Sequence, residues 1–176
     1  MGQDTPLSEA TDVLVDANVF IAIGRPSNPR YDQFRQAVRA ADVVLKVPRR
    51  VIEELGGATT DRVQTALDEG WAKIIDAPEP TDGDAVTASD IAGRTIANET
   101  DQPEHAVEKT DAILAGLTIQ YVRERSAASV IVLTDHKPAR KGIKNAVTAQ
   151  GYTDTITVYG LADIIGEDSG DPIRLI

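Results

Sequence analysis

The feature that most constrains this fold is a succession of short, β-branched apolar runs separated by stretches of helical patterning. Val13-Leu14-Val15, Val43-Val44-Leu45-Lys46-Val47, Ile74-Ile75, Val130-Ile131-Val132-Leu133 and Ile156-Thr157-Val158 read as strands, being too short for buried helices. Between them, Ala17 to Gly24 reads as a short helix, and Tyr31 to Ala41 carries Phe34, Ala37, Val38 and Ala41 at helical spacing. Arg49 to Leu55 is closed by Gly56-Gly57, and Thr60 to Trp71 presents Val63, Ala66 and Leu67 on one face. Asp84 to Glu99 and Thr110 to Arg125 form two further helices joined by an acidic turn, and Pro138 to Gln150 forms another, stopped by Gly151. Ile113, Leu114, Leu117, Ile119, Tyr121 and Val122 make the second of the paired helices apolar around most of its circumference, so it is expected to be buried. Its Ala115-Gly116 pair is expected to allow close packing against a sheet, and Phe34 and Trp71 read as core.

Strands alternating with helices predict an α/β fold, a three-layer α/β/α sandwich with a central parallel sheet of about five strands. The expected domain spans residues 12–165, with a polar, flexible N-terminal segment at 1–11 and a loose tail at 166–176. A chain of 176 residues suits one such domain. No leader-like start or membrane-length apolar run is seen, so a soluble cytoplasmic protein with no membrane partner is expected.

Composition narrows the chemistry. The chain has no cysteine, which excludes thiol catalysis, iron–sulfur clusters and thiolate zinc sites. It has two histidines, His105 and His136, and neither shows a partner pattern. A bound metal must therefore be held mainly by oxygen, which points to Mg²⁺ or Mn²⁺. The formal net charge is −10, with 18 Asp against 10 Glu and 12 Arg against 6 Lys. Such an acidic, Lys-poor balance suits a halophilic protein, kept soluble where salt screens self-repulsion. It argues against a nucleic-acid partner unless cations neutralise the site and basic residues cluster locally.

In an open parallel sheet, ligands bind at the carboxyl ends of the strands. Asp16 follows the first strand and Asp135 the fourth, so both fall on one edge. If those strands are neighbours, their backbones lie about 4.8 Å apart. Two carboxylates so placed can share one cation, each oxygen about 2.1 Å from Mg²⁺. Every acid also has a structural reading. Asp16 and Asp135 could each cap the helix that follows. Glu54 lies four residues after Arg50, the spacing of a helical ion pair. Asp111 lies in a first helical turn, where the dipole favours negative charge. That one sheet edge can collect all four favours a shared site.

Val13-Leu14-Val15-Asp16-Ala17-Asn18-Val19-Phe20 resembles the opening motif of PIN-domain nucleases, an apolar strand followed by Asp-x-Asn. Pro48-Arg49-Arg50-Val51-Ile52-Glu53-Glu54-Leu55 is similar to their second motif, whose acid directly precedes Leu, which favours Glu54 over Glu53. Asp111-Ala112-Ile113-Leu114-Ala115 resembles the third, and Val132-Leu133-Thr134-Asp135 the fourth. Order and spacing agree from residue 12 to about 160. The resemblance, which takes in VapC-like toxins and archaeal PIN-domain ribonucleases, implies a metal-dependent endoribonuclease using Mg²⁺ or Mn²⁺. It implies Asp16, Glu54, Asp111 and Asp135 as catalytic, metal-holding residues, and RNA as substrate. A small antitoxin-like protein and a second copy of the chain are further candidate partners. The chain is longer than a minimal toxin, with added material near 78–105 and at the tail, and it lacks the cysteine zinc module of ribosome-maturation PIN nucleases.

Chemically, carboxylate-held cations lower the pKa of a bound water and offset charge on phosphate oxygens during in-line attack. Asn18 and Thr134 are accessory candidates as neutral hydrogen-bonding groups. Glu108, three residues before Asp111, is an accessory acid or a surface residue. From His136 to Ala149 no acid occurs while Lys137, Arg140, Lys141 and Lys144 do, so this stretch either holds RNA phosphates or is a solvated helix face. Arg49 and Arg50 are further candidates for touching RNA. Aromatics total 4%, so base stacking cannot be widespread. Two alternatives stand beside this reading. A non-catalytic PIN-like module would bind RNA or protein without cutting. A haloacid-dehalogenase-type phosphatase would need a second acid two residues after Asp16, where this chain has Asn18.

Overall fold

The computed structural model describes residue 7 and residues 12–56, 61–76, 80–81, 83–107, 109–125 and 129–166. Five strands, β1 (Asp12–Val15), β2 (Leu45–Pro48), β3 (Ala72–Ile75), β4 (Val130–Leu133) and β5 (Ile156–Tyr159), form one sheet in the order β3-β2-β1-β4-β5. Every neighbouring pair is parallel. The helices are α1 (Ala17–Ile23), α2 (Pro29–Ala40), α3 (Arg49–Glu54), α4 (Asp61–Glu69), α5 (Gly83–Thr100), α6 (Lys109–Arg125), α7 (Lys137–Gln150) and α8 (Ala162–Ile165). The result is the three-layer α/β/α sandwich that the alternating pattern predicts. No helix among the described residues is long and apolar enough to cross a membrane.

Strand alternation divides the interior into two cores. Val13 and Val15 of β1 face one of them, with Phe20, Phe34, Val38, Val47 and Trp71, while Leu14 faces the other, with Leu114, Ile119, Val132 and Ile143. The first core holds an aromatic cluster in which Tyr31 and Phe34 meet Trp71 edge to face, with ring centroids 5.7 and 6.2 Å apart. Such pairs contribute about 0.5–1.5 kcal/mol beyond the area they bury. Leu7, within the segment read as flexible, is fully buried in this first core; the rest of residues 1–11 and residues 167–176 lie outside the described residues.

Several sequence expectations shift in detail. β2 starts at Leu45 rather than Val43 and runs through Pro48, paired in register with Ile75. Proline is tolerated at this terminal position because α3 begins at the next residue. The acidic turn before α6 contains a 3-10 turn, Glu104–Ala106, and α8 has no forecast counterpart, being a single four-residue turn. The reading of Ala115-Gly116 needs correction, because Gly116 faces a helix rather than the sheet. A Cβ at Gly116 would run into the Ala85 carbonyl oxygen and the Ser89 hydroxyl of α5. Two turns further along α5, a Cβ at Gly142 of α7 would lie 2.9 Å from the Ala92 carbonyl oxygen. The buried face of α5 is Ala85, Ala88, Ala92, Ile96 and Ala97, small enough for both neighbours to approach its backbone.

Gly116→Ala tests this packing. Helix propensity alone favours Ala by about 1 kcal/mol. The obstacle is backbone, which cannot move aside as a side-chain tip can, and overpacking costs about 1–3 kcal/mol. We therefore expect Gly116→Ala to lower the denaturant midpoint, and a raised midpoint would show that α5 and α6 can separate freely.

Candidate active site

β1 and β4 end together, Val15 in register with Leu133. The Asp16 N–H donates to the Leu133 carbonyl at 2.9 Å, which extends the pairing by one residue. Asp16 and Thr134 therefore stand side by side at the carboxyl edge of the sheet. This is also where the strand order reverses, the chain filling positions on one side of β1 before crossing to the other.

Asp16 both caps α1 and faces the crevice. Its Oδ1 accepts the Ala17 N–H at 2.8 Å, and its Oδ2 accepts from Asn18 Nδ2 at 3.0 Å and from the Thr134 hydroxyl at 2.9 Å. Asn18 links the two strand ends further, since its Oδ1 accepts the Asp135 N–H at 2.6 Å. Asp16 is only 1% exposed, and burial pushes its carboxyl pKa above the ordinary 3.8. Hydrogen bonds from Thr134, Ala17 and Asn18 pull the other way and do not cancel it. A buried carboxylate whose hydrogen bonds come from neutral donors is one that a cation would relieve.

Asp135 takes a different part from a helix cap. The N-cap of α7 is His136, whose side chain makes no capping bond, while Asp135 Oδ1 accepts the Leu161 N–H at 3.1 Å, just ahead of α8. Glu54 ends α3, which begins where β2 stops, and Asp111 lies in the first turn of α6. Asp16, Glu54, Asp111 and Asp135 line one open cavity of about 380 Å³, together with Ala17, Asn18, Ile21, Ala22 and His136. No Lys or Arg is among these lining residues. At the opposite edge of β1, Asp12 is ion-paired with Lys46 at 2.6 Å. Among the described residues no three His, Asp or Glu side chains are grouped closely enough to hold a metal ion by themselves. The donor set is nonetheless of the all-oxygen kind that hard divalent cations prefer.

The remaining sequence candidates are distributed unevenly. Glu53 is exposed and lies outside the cavity lining, and Glu108 falls outside the described residues. Arg49 is ion-paired with Asp76 at 2.7 Å and Lys141 with Glu99 at 2.7 Å. Arg140 braces the site from below, donating to the Thr134 carbonyl at 3.1 Å and packing its guanidinium over Gly160. Arg50 lies in the first turn of α3. Lys137 and Lys144 are exposed on α7, and neither has an ion-pair partner among the described residues. Four lining residues, Ala17, Ile21, Ala22 and His136, carry no site assignment from the sequence. His136 was given no role, although it directly follows Asp135. Ile21 is 59% exposed and was legible only as an apolar residue out of phase with the buried face of α1. A larger hollow of about 560 Å³, lined by residues of α5, the 3-10 turn and α6, contains none of the four acids.

The family model described as the halobacterial PIN domain matches residues 9–172. No curated protein and no solved structure matches the chain.

The hydrogen bonding of Asp16 yields a prediction with two readouts. Thr134→Val keeps the shape and removes a donor from a buried acceptor, which should cost about 1–3 kcal/mol of stability. It should also raise the Asp16 midpoint further above 3.8, read by carboxyl-carbon NMR in metal-free protein. Because the folded-state pKa is already raised, Asp16 favours folding most fully below pH 3.8 and loses that contribution as pH rises through the folded midpoint. An unmoved or lowered midpoint in the variant would remove the Thr134 hydroxyl from this account.

Proposed function

The chain belongs to the halobacterial PIN-domain family, and on that basis we propose that it is a metal-dependent endoribonuclease cutting RNA phosphodiester bonds at the acidic cavity. Family membership implies a nuclease-type domain. The finer reading is supported chiefly by one observation, that acids from four separate parts of the fold converge on one cavity. Mutual repulsion of carboxylates is a standing cost unless a cation or substrate group offsets it.

In this reading Asp16, Asp111 and Asp135 would hold Mg²⁺ or Mn²⁺, and Glu54 would complete a second position or orient the attacking water. Bound there, such an ion supplies Lewis acidity toward water and phosphate. Asn18 fixes the spacing of the two strand ends by holding Asp16 and the Asp135 backbone together. It also occupies the position where phosphatase chemistry of the haloacid-dehalogenase type requires an acid. Lys137 and Lys144 are the best-placed phosphate contacts, because Arg49, Arg140 and Lys141 are already engaged. The lack of a three-group cage among the described residues favours a second reading, a PIN-like module that binds RNA without cutting.

Purified protein incubated at high salt with total cellular RNA, with and without Mn²⁺, separates the two. We expect Mn²⁺-dependent fragments with defined ends, abolished by EDTA. Asp16→Asn and Asp135→Asn should each reduce cleavage more than about 100-fold, since losing even an outer partner of a ligand costs 10–100-fold. RNA that is retained yet never shortened would favour the binding module, and cutting indifferent to EDTA would eliminate the metal reading. Separately, replacing both Lys137 and Lys144 with Gln should weaken RNA binding across sequences and flatten its salt dependence by about one unit of slope for each phosphate no longer neutralised. Lys141→Gln should do markedly less.

A further inference from the structure

His136 lines the same cavity as the acids. Its Nδ1 is 3.3 Å from Asp111 Oδ2, with the two side chains 38% and 14% exposed. That nitrogen is itself buried and forms no aligned hydrogen bond. A buried, unsatisfied ring nitrogen costs about 1–3 kcal/mol, and Asp111 is the carboxylate within reach. A small rotation of ring or carboxylate turns this contact into a hydrogen bond. The backbone fixes the ring where it is, because His136 is the N-cap of α7 and its carbonyl accepts the Arg140 N–H at 3.0 Å. The side chain takes no part in capping.

We infer that His136 is a positioning residue for Asp111. Nδ1–H donates to Oδ2 and fixes the orientation of the Asp111 carboxylate, which would help to hold a divalent cation in the cavity. This rests on the metal-site part of the proposed function and extends it to a group the sequence left without a role. The physical reason is general. A carboxylate that binds a cation through one oxygen gains orientation and basicity control from a donor on the other, and removing such a partner weakens metal affinity 10–100-fold. The contact joins α6 to the start of α7, so it also fixes the spacing of two acids from different parts of the chain, Asp111 and Asp135.

The test measures Mn²⁺ affinity by calorimetry on the full chain, with thermal melts to confirm folding and RNA cleavage followed in parallel. His136→Ala should weaken Mn²⁺ binding 10–100-fold and lower kcat/KM for RNA by a similar factor at fixed, subsaturating Mn²⁺, with saturating Mn²⁺ restoring most of kcat. His136→Asn, which keeps an N–H at the Nδ1 position, should recover affinity to within a few-fold of wild type. His136→Gln, which places its amide at the Nε2 position, should not. Unchanged Mn²⁺ affinity in His136→Ala overturns the inference, as does rescue by Gln but not Asn. Complete loss of binding in His136→Ala also overturns it, since that marks a direct ligand. Wild-type protein that binds no Mn²⁺ sinks this inference and the metal reading together. Binding that follows the predicted order of variants without RNA cleavage sinks only the ribonuclease reading. Cleavage with a His136-independent Mn²⁺ affinity sinks only the role of His136.

Discussion

The parallel pairing of β1 with β4 holds the molecule's acidic edge together. Four register pairs, from Asp12 with Val130 to Val15 with Leu133, unite segments well over a hundred residues apart. Everything at that edge follows from both strands ending at the same level. Asp16 and Thr134 become lateral neighbours, and the Asp16 N–H finds the Leu133 carbonyl. The order reversal beside β1 opens a crevice between the layers instead of burying the strand ends under a connection. Shifting the register by one residue would send Val13, Leu14 and Val15 to the wrong cores and carry Asp16 out of reach of Thr134.

Within that frame, the side chains of Asn18 and Thr134 manage an electrostatic difficulty. Asp16 is almost fully removed from water, a state that strongly disfavours its charged form. Neutral donors reduce this penalty without introducing a permanent positive charge that would compete with a cation. A lysine in place of Asn18 would neutralise Asp16 outright. The same sparing placement of positive charge extends to α7, whose acid-free stretch looks in the sequence like a single basic track. In the structure it splits by task, with Arg140 bracing the Thr134 carbonyl, Lys141 tied to Glu99, and Lys137 and Lys144 left on the surface.

On the proposed function, an acidic protein that handles a polyanion would depend on screening and on bound cations. With a net charge of −10, long-range attraction of RNA does not operate. At molar salt the Debye length falls to about 3 Å, so distant acids cease to matter and only contacts at the cavity count. In that setting the orientation of each carboxylate at the cavity would matter more than the overall charge, and a contact as local as that between His136 and Asp111 would bear on the affinity of the whole proposed site.

Local patterning along the chain was enough to specify the fold class, the succession of strands and helices, and the acids that end or begin them. Strand ends at Val15-Asp16 and Leu133-Thr134-Asp135 are written in local periodicity, because a run of β-branched residues closed by a polar one marks its own terminus. Glu54 was separable from Glu53 only through the family motif, since two adjacent acids on a helix look alike in composition. Packing settled which strands adjoin, that Asp135 meets the Leu161 N–H rather than capping α7, that Gly116 admits α5 and not the sheet, and that His136 faces Asp111. These relations join residues distant in sequence whose local patterns carry no mark of their partners. They are fixed by how helices settle on a sheet, through burial of both apolar faces at once, and no window of neighbouring residues contains that information.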